Sequence, residues 1–169
     1  MRAMPKPGQS PHLSKEVIQQ IKAICGEEHT CSSKEDLICY SYDATNLEGP
    51  AELVVFPRTA GEISEILKLA NQYQFPVVPR GMGTGMTGGS VPIQGGVVVA
   101  MTRFNRVLEI DQKNLIAVVE PGVITGDFQK RVEALGFFFP PDPASQLYCT
   151  LGGNVAECAG GPRAVKYGG

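Results

Sequence analysis

Residues 79–90 read Pro-Arg-Gly-Met-Gly-Thr-Gly-Met-Thr-Gly-Gly-Ser, and the wider segment 81–96 holds seven glycines. Closely spaced glycines permit positive φ angles and let successive backbone N–H groups converge on an anion without obstruction by side chains. Arg80 is expected at the rim of this loop as a charge partner. Three hydroxyl donors accompany the amides: Thr84, Thr87 and Ser90. The segment predicts a loop that holds the diphosphate of a dinucleotide, the alternative being a surface loop with glycines for turn geometry alone.

The spacing Gly83-x-Gly85-x-x-Gly88 matches the dinucleotide fingerprint, but its surroundings do not. A Rossmann site needs the third glycine in a helix that faces the pyrophosphate, whereas Pro92 and a predicted strand follow here. A Walker A loop needs lysine where Gly89 stands. Both of these nucleotide sites are therefore disfavoured.

Patterns before the loop predict two helices, a short helical start and two strands. Helical spacing of apolar residues covers 13–24, with Ser14 as cap and Gly26 beyond the end. A capping box at Ser32 and Glu35 predicts the short helical start. The strand 53–56, a helix capped by Thr59 and the strand 76–79 then form a β-α-β unit with a parallel, right-handed crossover.

Patterns after the loop predict a strand at 96–101, a hairpin of 107–110 with 115–119, and a helix over 125–135. A parallel unit followed by an antiparallel hairpin indicates an α+β fold. From residue 144 onward periodicity fades, and the chain is expected to end in a loop as a fragment of a longer protein.

A second glycine-rich segment lies at 150–161, after the Pro141-Asp142-Pro143 turn. Its two Gly-Gly pairs bracket an asparagine and a glutamate, a pattern suited to main chain lying flat against a planar ligand. Thr150 and Asn154 are expected to hydrogen-bond to ring edges, and Arg163 and Lys166 to place positive charge by a reduced ring. A glycine-rich linker is the equally weighted alternative.

Composition argues against several classes of function. The formal charge of −2 provides no basic field for nucleic acid, and no apolar run reaches the roughly 18–20 residues of a membrane span. Residues 1–12, rich in proline, read as a disordered lead-in without a secretory signal. Five cysteines without a CxxC pair, and only two histidines, predict reduced thiols and no metal site.

Taken together, the segments 76–92, 140–146 and 150–169 closely resemble the FAD-linked oxidase family of the vanillyl-alcohol-oxidase type. Within that family the nearest resemblance is to glycolate oxidase flavoprotein subunits and D-lactate dehydrogenases. The resemblance covers residues 13–169 and includes the segment 42–45 that precedes the glycine loop.

The resemblance implies a PCMH-type FAD-binding fold with the flavin between two subdomains. Residues 13–169 would form the first subdomain and part of the second, truncated on the C-terminal side, with the substrate domain absent. Non-covalent FAD is implied, because the loop lacks the histidine that tethers FAD in some members. The implied diphosphate contacts are Pro79, Arg80, Gly81, Met82, Gly83, Thr84, Gly85, Met86, Thr87, Gly88, Gly89 and Ser90, and the implied flavin contacts are Pro141, Asp142, Thr150, Leu151, Gly152, Gly153, Asn154, Glu157, Gly160 and Gly161.

The resemblance also implies oxidation of a small 2-hydroxy acid, of the glycolate or D-lactate type, by hydride transfer to flavin N5. Electrons would pass to an iron-sulfur subunit or the respiratory chain, in the cytoplasm or at a membrane through partner subunits. No catalytic residue is assigned. The alternatives are a truncated, catalytically incompetent FAD-binding fragment, or a small nucleotide-binding or interaction domain. Unpaired sheet edges would permit self-association.

Overall fold

The computed structural model describes residues 13–168, so the lead-in predicted at 1–12 lies outside the described residues. The fold is α+β, as predicted. Its elements are α1 (Lys15–Cys25), β1 (Thr30–Cys31), α2 (Lys34–Cys39), β2 (Leu53–Val55), α3 (Ala60–Tyr73), β3 (Val77–Arg80), β4 (Val97–Ala100), β5 (Val107–Asp111), β6 (Ile116–Val119), α4 (Thr125–Glu133), α5 (Leu151–Ala156) and α6 (Ala164–Tyr167).

The larger sheet has the order β1-β2-β4-β3, with β2, β4 and β3 parallel and β1 antiparallel to β2. The prediction of a parallel β-α-β unit is confirmed, but its two strands are not neighbours. Strand β4 lies between them, and Val98 is in register with both Val54 and Val78. The sequence of β4 suits this central position, because all four of its residues are apolar and buried.

Both faces of this sheet are covered. On one face, Val17 and Ile21 of α1 and Ile66 of α3 pack against the β2 and β4 side chains. On the other face, Val54 and Val98 pack with Leu37 and Tyr40 from the α2 region. The strands are thereby buried on two sides, as their runs of valine require.

Side-chain caps fix the helix starts in this part of the chain. Ser14 Oγ accepts the Val17 N–H at 3.2 Å, as predicted. The cap of α2 is Ser33 and not Ser32, because Ser33 Oγ accepts the Asp36 N–H at 3.2 Å. The predicted capping box was therefore placed one residue too early.

The cap of α3 gives a first testable prediction. Thr59 Oγ1 accepts the Glu62 N–H at 3.2 Å, so Thr59→Ala is expected to lower the free energy of unfolding by about 1 kcal/mol. Urea denaturation measures the change. Ser64→Ala, at an exposed position of the same helix, is the control and should leave stability nearly unchanged. Equal effects of the two variants would contradict the capping role.

The second part of the fold contains the predicted hairpin and helix, together with two helices that were not predicted. Strands β5 and β6 pair antiparallel, and Phe128 and Val132 of α4 pack with Val123 and Leu151. Although periodicity fades after residue 144, the structure has α5 and α6 there. Both helices are short and α5 contains two glycines, so the helix propensities of their residues do not predict them.

Within residues 13–168 no helix is long and apolar enough to cross a membrane. The same residues contain no group of three His, Cys, Asp or Glu side chains arranged to hold a metal ion. Among the thiols, burial raises the pKa of Cys25 to about 11, whereas Cys39 and Cys158 are exposed.

Candidate functional site

The glycine loop connects β3 to β4, which lie side by side in the larger sheet. The six successive backbone N–H groups of residues 82–87 donate no hydrogen bond to any described residue. Gly83 and Gly88 have positive φ angles of 70° and 78°. A run of free amides in a chain that turns at such glycines is an anion-binding arrangement. The binding of a diphosphate by this loop stays a prediction that these amides and φ angles support.

Arg80 supports this loop from beneath. Its side chain is buried, with Nη1 3.4 Å from the carbonyl oxygen of Ser90 and Nη2 3.5 Å from that of Cys39. Its guanidinium lies over the Tyr40 ring at 5.6 Å. Burial lowers the pKa of Arg80. The expectation of Arg80 at the rim of the loop is therefore wrong, because its guanidinium is buried and bonds to Ser90 of the loop instead of facing solvent.

The segment before β2 anchors the loop from the side. Asp43 is buried, and its Oδ2 accepts the Gly88 N–H at 3.1 Å. Asp43 Oδ1 accepts the backbone N–H and the hydroxyl of Thr45, and the Ala44 N–H donates to the Gly85 carbonyl at 3.1 Å. Burial raises the pKa of Asp43, but the hydrogen bonds from Thr45 and Gly88 lower it more, so the net pKa is below its usual value.

Asp43 is a site residue that the sequence analysis did not identify. The pair Asp43-x-Thr45 is typical of an Asx turn, in which an aspartate accepts from the backbone two residues on. That pattern predicts the local turn. It carries no information about Gly88, which lies 45 residues further along the chain.

The second glycine segment begins with α5, whose N-terminus is capped by Thr150. Thr150 Oγ1 accepts the Gly153 N–H at 3.2 Å, and Asn154 Nδ2 donates to Thr125 Oγ1 at 2.7 Å. Thr150, Leu151 and Asn154 are all buried. Both side chains already make contacts within the fold, and their hydrogen bonds to a ring edge stay a prediction.

The two flavin-side segments predicted from sequence come together. The Asp142 N–H donates to the Gly160 carbonyl at 2.8 Å, and Gly161 packs directly against the Asp142 carbonyl. Pro141 accepts at its carbonyl from Gln129 Nε2 at 2.7 Å. Glycine is required at position 161, since a Cβ there would overlap the Asp142 backbone.

The two cations of this region already have partners. Arg163 Nε lies 3.1 Å from Asp142 Oδ2, and its guanidinium lies over the Phe138 ring at 5.1 Å. Lys166 Nζ lies over the Tyr167 ring at 4.8 Å. The expectation that Arg163 supplies positive charge to a reduced ring is weakened, because Asp142 compensates that charge.

The first loop and the second segment meet at two points. Gly81 lies against Thr150, where a Cβ would come 2.6 Å from the hydroxyl oxygen. Thr87 Oγ1 donates to Glu157 Oε2 at 2.7 Å. The structure thus brings the free amides of residues 82–87 next to a second glycine-rich segment. A side chain at Gly83 has no room there, because its Cβ would overlap the Arg80 guanidinium.

Comparisons with known proteins show the family of this chain. Residues 51–169 match the model of a family described as FAD binding domain. The glycolate oxidase subunit GlcD of Bacillus subtilis (strain 168) is 43% identical over 157 residues, which cover 92% of this chain and 33% of that protein. The D-lactate dehydrogenase of Anaerostipes hadrus is 39% identical over 131 residues, which cover 76% of this chain and 27% of that protein. The chain spans about a third of the length of these curated relatives.

Solved structures show the same fold. An alkyldihydroxyacetonephosphate synthase superposes with a TM-score of 0.82 at 24% identity, over 95% of this chain and 35% of that one. Substrate-bound p-cresol methylhydroxylase superposes with a TM-score of 0.72 at 21% identity, over 83% of this chain and 28% of that one. The chain belongs to the FAD binding domain family, with FAD as its cofactor and the α+β fold of PCMH-type FAD-binding proteins.

Proposed function

We propose that this chain is the FAD-binding part of an oxidoreductase that oxidises a small 2-hydroxy acid by hydride transfer to flavin N5. The observation that carries the proposal is the row of six free amides in residues 82–87, next to the second glycine segment. The relatives supply the substrate class. Glycolate and D-lactate, named for the two proteins described above, share a hydroxyl group on the carbon next to a carboxylate.

The chain's own residues hold and orient the cofactor in this proposal. The amides of residues 82–87 bind the diphosphate, with Arg80 and Asp43 fixing the loop from beneath and from the side. The main chain at Gly152, Gly160 and Gly161 faces the flavin. FAD, when bound, supplies the ring that accepts the hydride. Binding is non-covalent, since the loop contains no histidine, cysteine or tyrosine to form a bond.

The partner and the location are parts of the same proposal. The electrons leave to an iron-sulfur subunit or to the respiratory chain, and the protein acts in the cytoplasm or peripherally at a membrane through such subunits. Support comes from the relative from Bacillus subtilis, which is named a subunit.

The absorbance spectrum of the purified chain, before and after titration with FAD, tests cofactor binding. We expect oxidised flavin bands in the visible range, with uptake that approaches one FAD per chain. As a control for unbound flavin, the spectrum is recorded again after gel filtration has removed free FAD. A protein that is colourless and takes up no added FAD would contradict the proposal for this chain and would favour a small interaction domain.

Anaerobic mixing of the FAD-loaded protein with glycolate or D-lactate tests the reaction. Loss of the oxidised flavin band is the expected result, with acetate as the control that lacks the hydroxyl group. A second candidate function is FAD binding without turnover by this chain alone. A loaded protein whose spectrum none of these acids changes would select the second candidate.

A further inference from the structure

Glu157 brings a carboxylate to the glycine loop from the other half of the fold. Its Oε2 accepts from Thr87 Oγ1 at 2.7 Å. Its Oε1 lies 3.0 Å from the position that a Cβ would take at Gly85 and 3.2 Å from that at Gly89. The carboxylate therefore lies against the loop between these two glycines. Larger residues at either position would press on it.

No cation of the described residues forms an ion pair with this carboxylate. Arg163, six residues further along the chain, forms an ion pair with Asp142 instead. Arg80, the arginine that precedes the loop, is buried beneath it and bonds to Ser90 and Cys39. Thr87, the one described hydrogen-bond donor to the carboxylate, is neutral. The negative charge of Glu157 is thus uncompensated within the described fold.

The backbone around Glu157 holds the carboxylate in this place. Its N–H donates to the Gly153 carbonyl at 3.0 Å and ends α5. Cys158 follows with a positive φ of 51°, and the Ala159 N–H returns to the Asn154 carbonyl at 2.9 Å. Asn154 is in turn fixed by its side-chain bond to Thr125. The backbone at Glu157 is therefore held by hydrogen bonds to the end of α5.

We infer that Glu157 is an affinity-setting residue of the diphosphate loop, which weakens the binding of FAD by like-charge repulsion. This inference rests on the proposed function of the loop. A diphosphate bound to the free amides of residues 82–87 would lie close to a carboxylate that forms no ion pair with a described cation. Repulsion between the Glu157 carboxylate and the diphosphate changes the affinity for FAD by about an order of magnitude in a partly exposed site. The loop amides attract the diphosphate, and the Glu157 carboxylate reduces the resulting affinity.

Glu157→Gln separates the charge from the contact, because the amide oxygen can still accept the Thr87 hydroxyl. We expect the variant to bind FAD and inorganic pyrophosphate about tenfold more tightly than the wild type at low ionic strength. Riboflavin, which has no phosphate, should bind both proteins equally. Added NaCl should bring the two FAD affinities together, since salt screens a repulsion between exposed charges. Isothermal titration calorimetry measures the pyrophosphate affinity, and flavin fluorescence measures the other two.

Controls separate this inference from the proposed function. Glu133→Gln, at an exposed carboxylate on α4, should leave all affinities unchanged. Equal or weaker FAD binding by Glu157→Gln would overturn the inference, because the carboxylate would then hold the loop or the ligand. A Gly83→Val variant that binds FAD and pyrophosphate as well as the wild type would instead overturn the assignment of the loop. The assignment of the loop would also be overturned if neither the wild type nor Glu157→Gln binds pyrophosphate.

Discussion

FAD uptake is expected to be lost when Gly83 is replaced by valine, with affinity falling about hundredfold or more. Gly83 has a φ of 70°, a region that β-branched residues strongly disfavour. Its Cβ would also overlap the Arg80 guanidinium, which is buried under the loop and cannot move aside without losing its bonds to Ser90 and Cys39. The substitution therefore displaces the amides that bind the diphosphate.

Gly136→Val is a matched control for this substitution. Gly136 has a φ of 82°, but no atom lies within 4 Å of a Cβ added there. Both variants should carry similar backbone strain, and only Gly83→Val should lose FAD. Equilibrium titration with FAD, together with thermal melts of both proteins, makes the comparison. Undiminished FAD affinity in a folded Gly83→Val protein would show that the diphosphate binds elsewhere.

Asp43→Ala is expected to lower the free energy of unfolding by about 2–4 kcal/mol and FAD affinity by about tenfold or more. The substitution leaves three donors without an acceptor: the Thr45 N–H, the Thr45 hydroxyl and the Gly88 N–H. These groups are partly buried, and the bond to Gly88 spans 45 residues. Its loss frees the far end of the glycine loop. Urea denaturation and FAD titration measure the two effects.

The same carboxylate predicts an acid dependence. Because hydrogen bonds place the pKa of Asp43 below its usual value in the folded protein, its contribution to stability is complete above the unfolded pKa of about 4. That contribution is lost as the pH falls through the folded pKa. Asp43→Asn, which cannot ionise, should therefore show a flatter fall in stability below about pH 4 than the wild type.

Asp127→Asn, at an exposed carboxylate in the first turn of α4, is the control for both Asp43 variants. It should leave FAD affinity unchanged and alter stability by less than about 1 kcal/mol. Parallel acid profiles of Asp43→Asn and the wild type would contradict the role of the ionised Asp43 carboxylate.

The local elements were predictable because their causes are local. The β-branched run of β4, the apolar spacing of α1 and the cap at Thr59 each lie within one element. The glycine loop was predictable for the same reason, since free amides and positive φ depend on closely spaced glycines. Helix α5 was missed because two glycines oppose its formation locally. Tertiary contacts of Leu151 and Asn154 stabilise it instead.

Pairings between distant residues could not be read in the same way. The amino-acid sequence established the α+β class, the two glycine-rich segments and the resemblance to FAD-linked oxidases. The folded chain alone established that β4 separates β2 from β3, that Arg80 lies under the loop, and that Glu157 contacts Thr87 across 70 residues. Periodicity and caps encode the conformation of a short segment. Which segments meet depends instead on how buried surfaces and hydrogen bonds are satisfied over the whole fold.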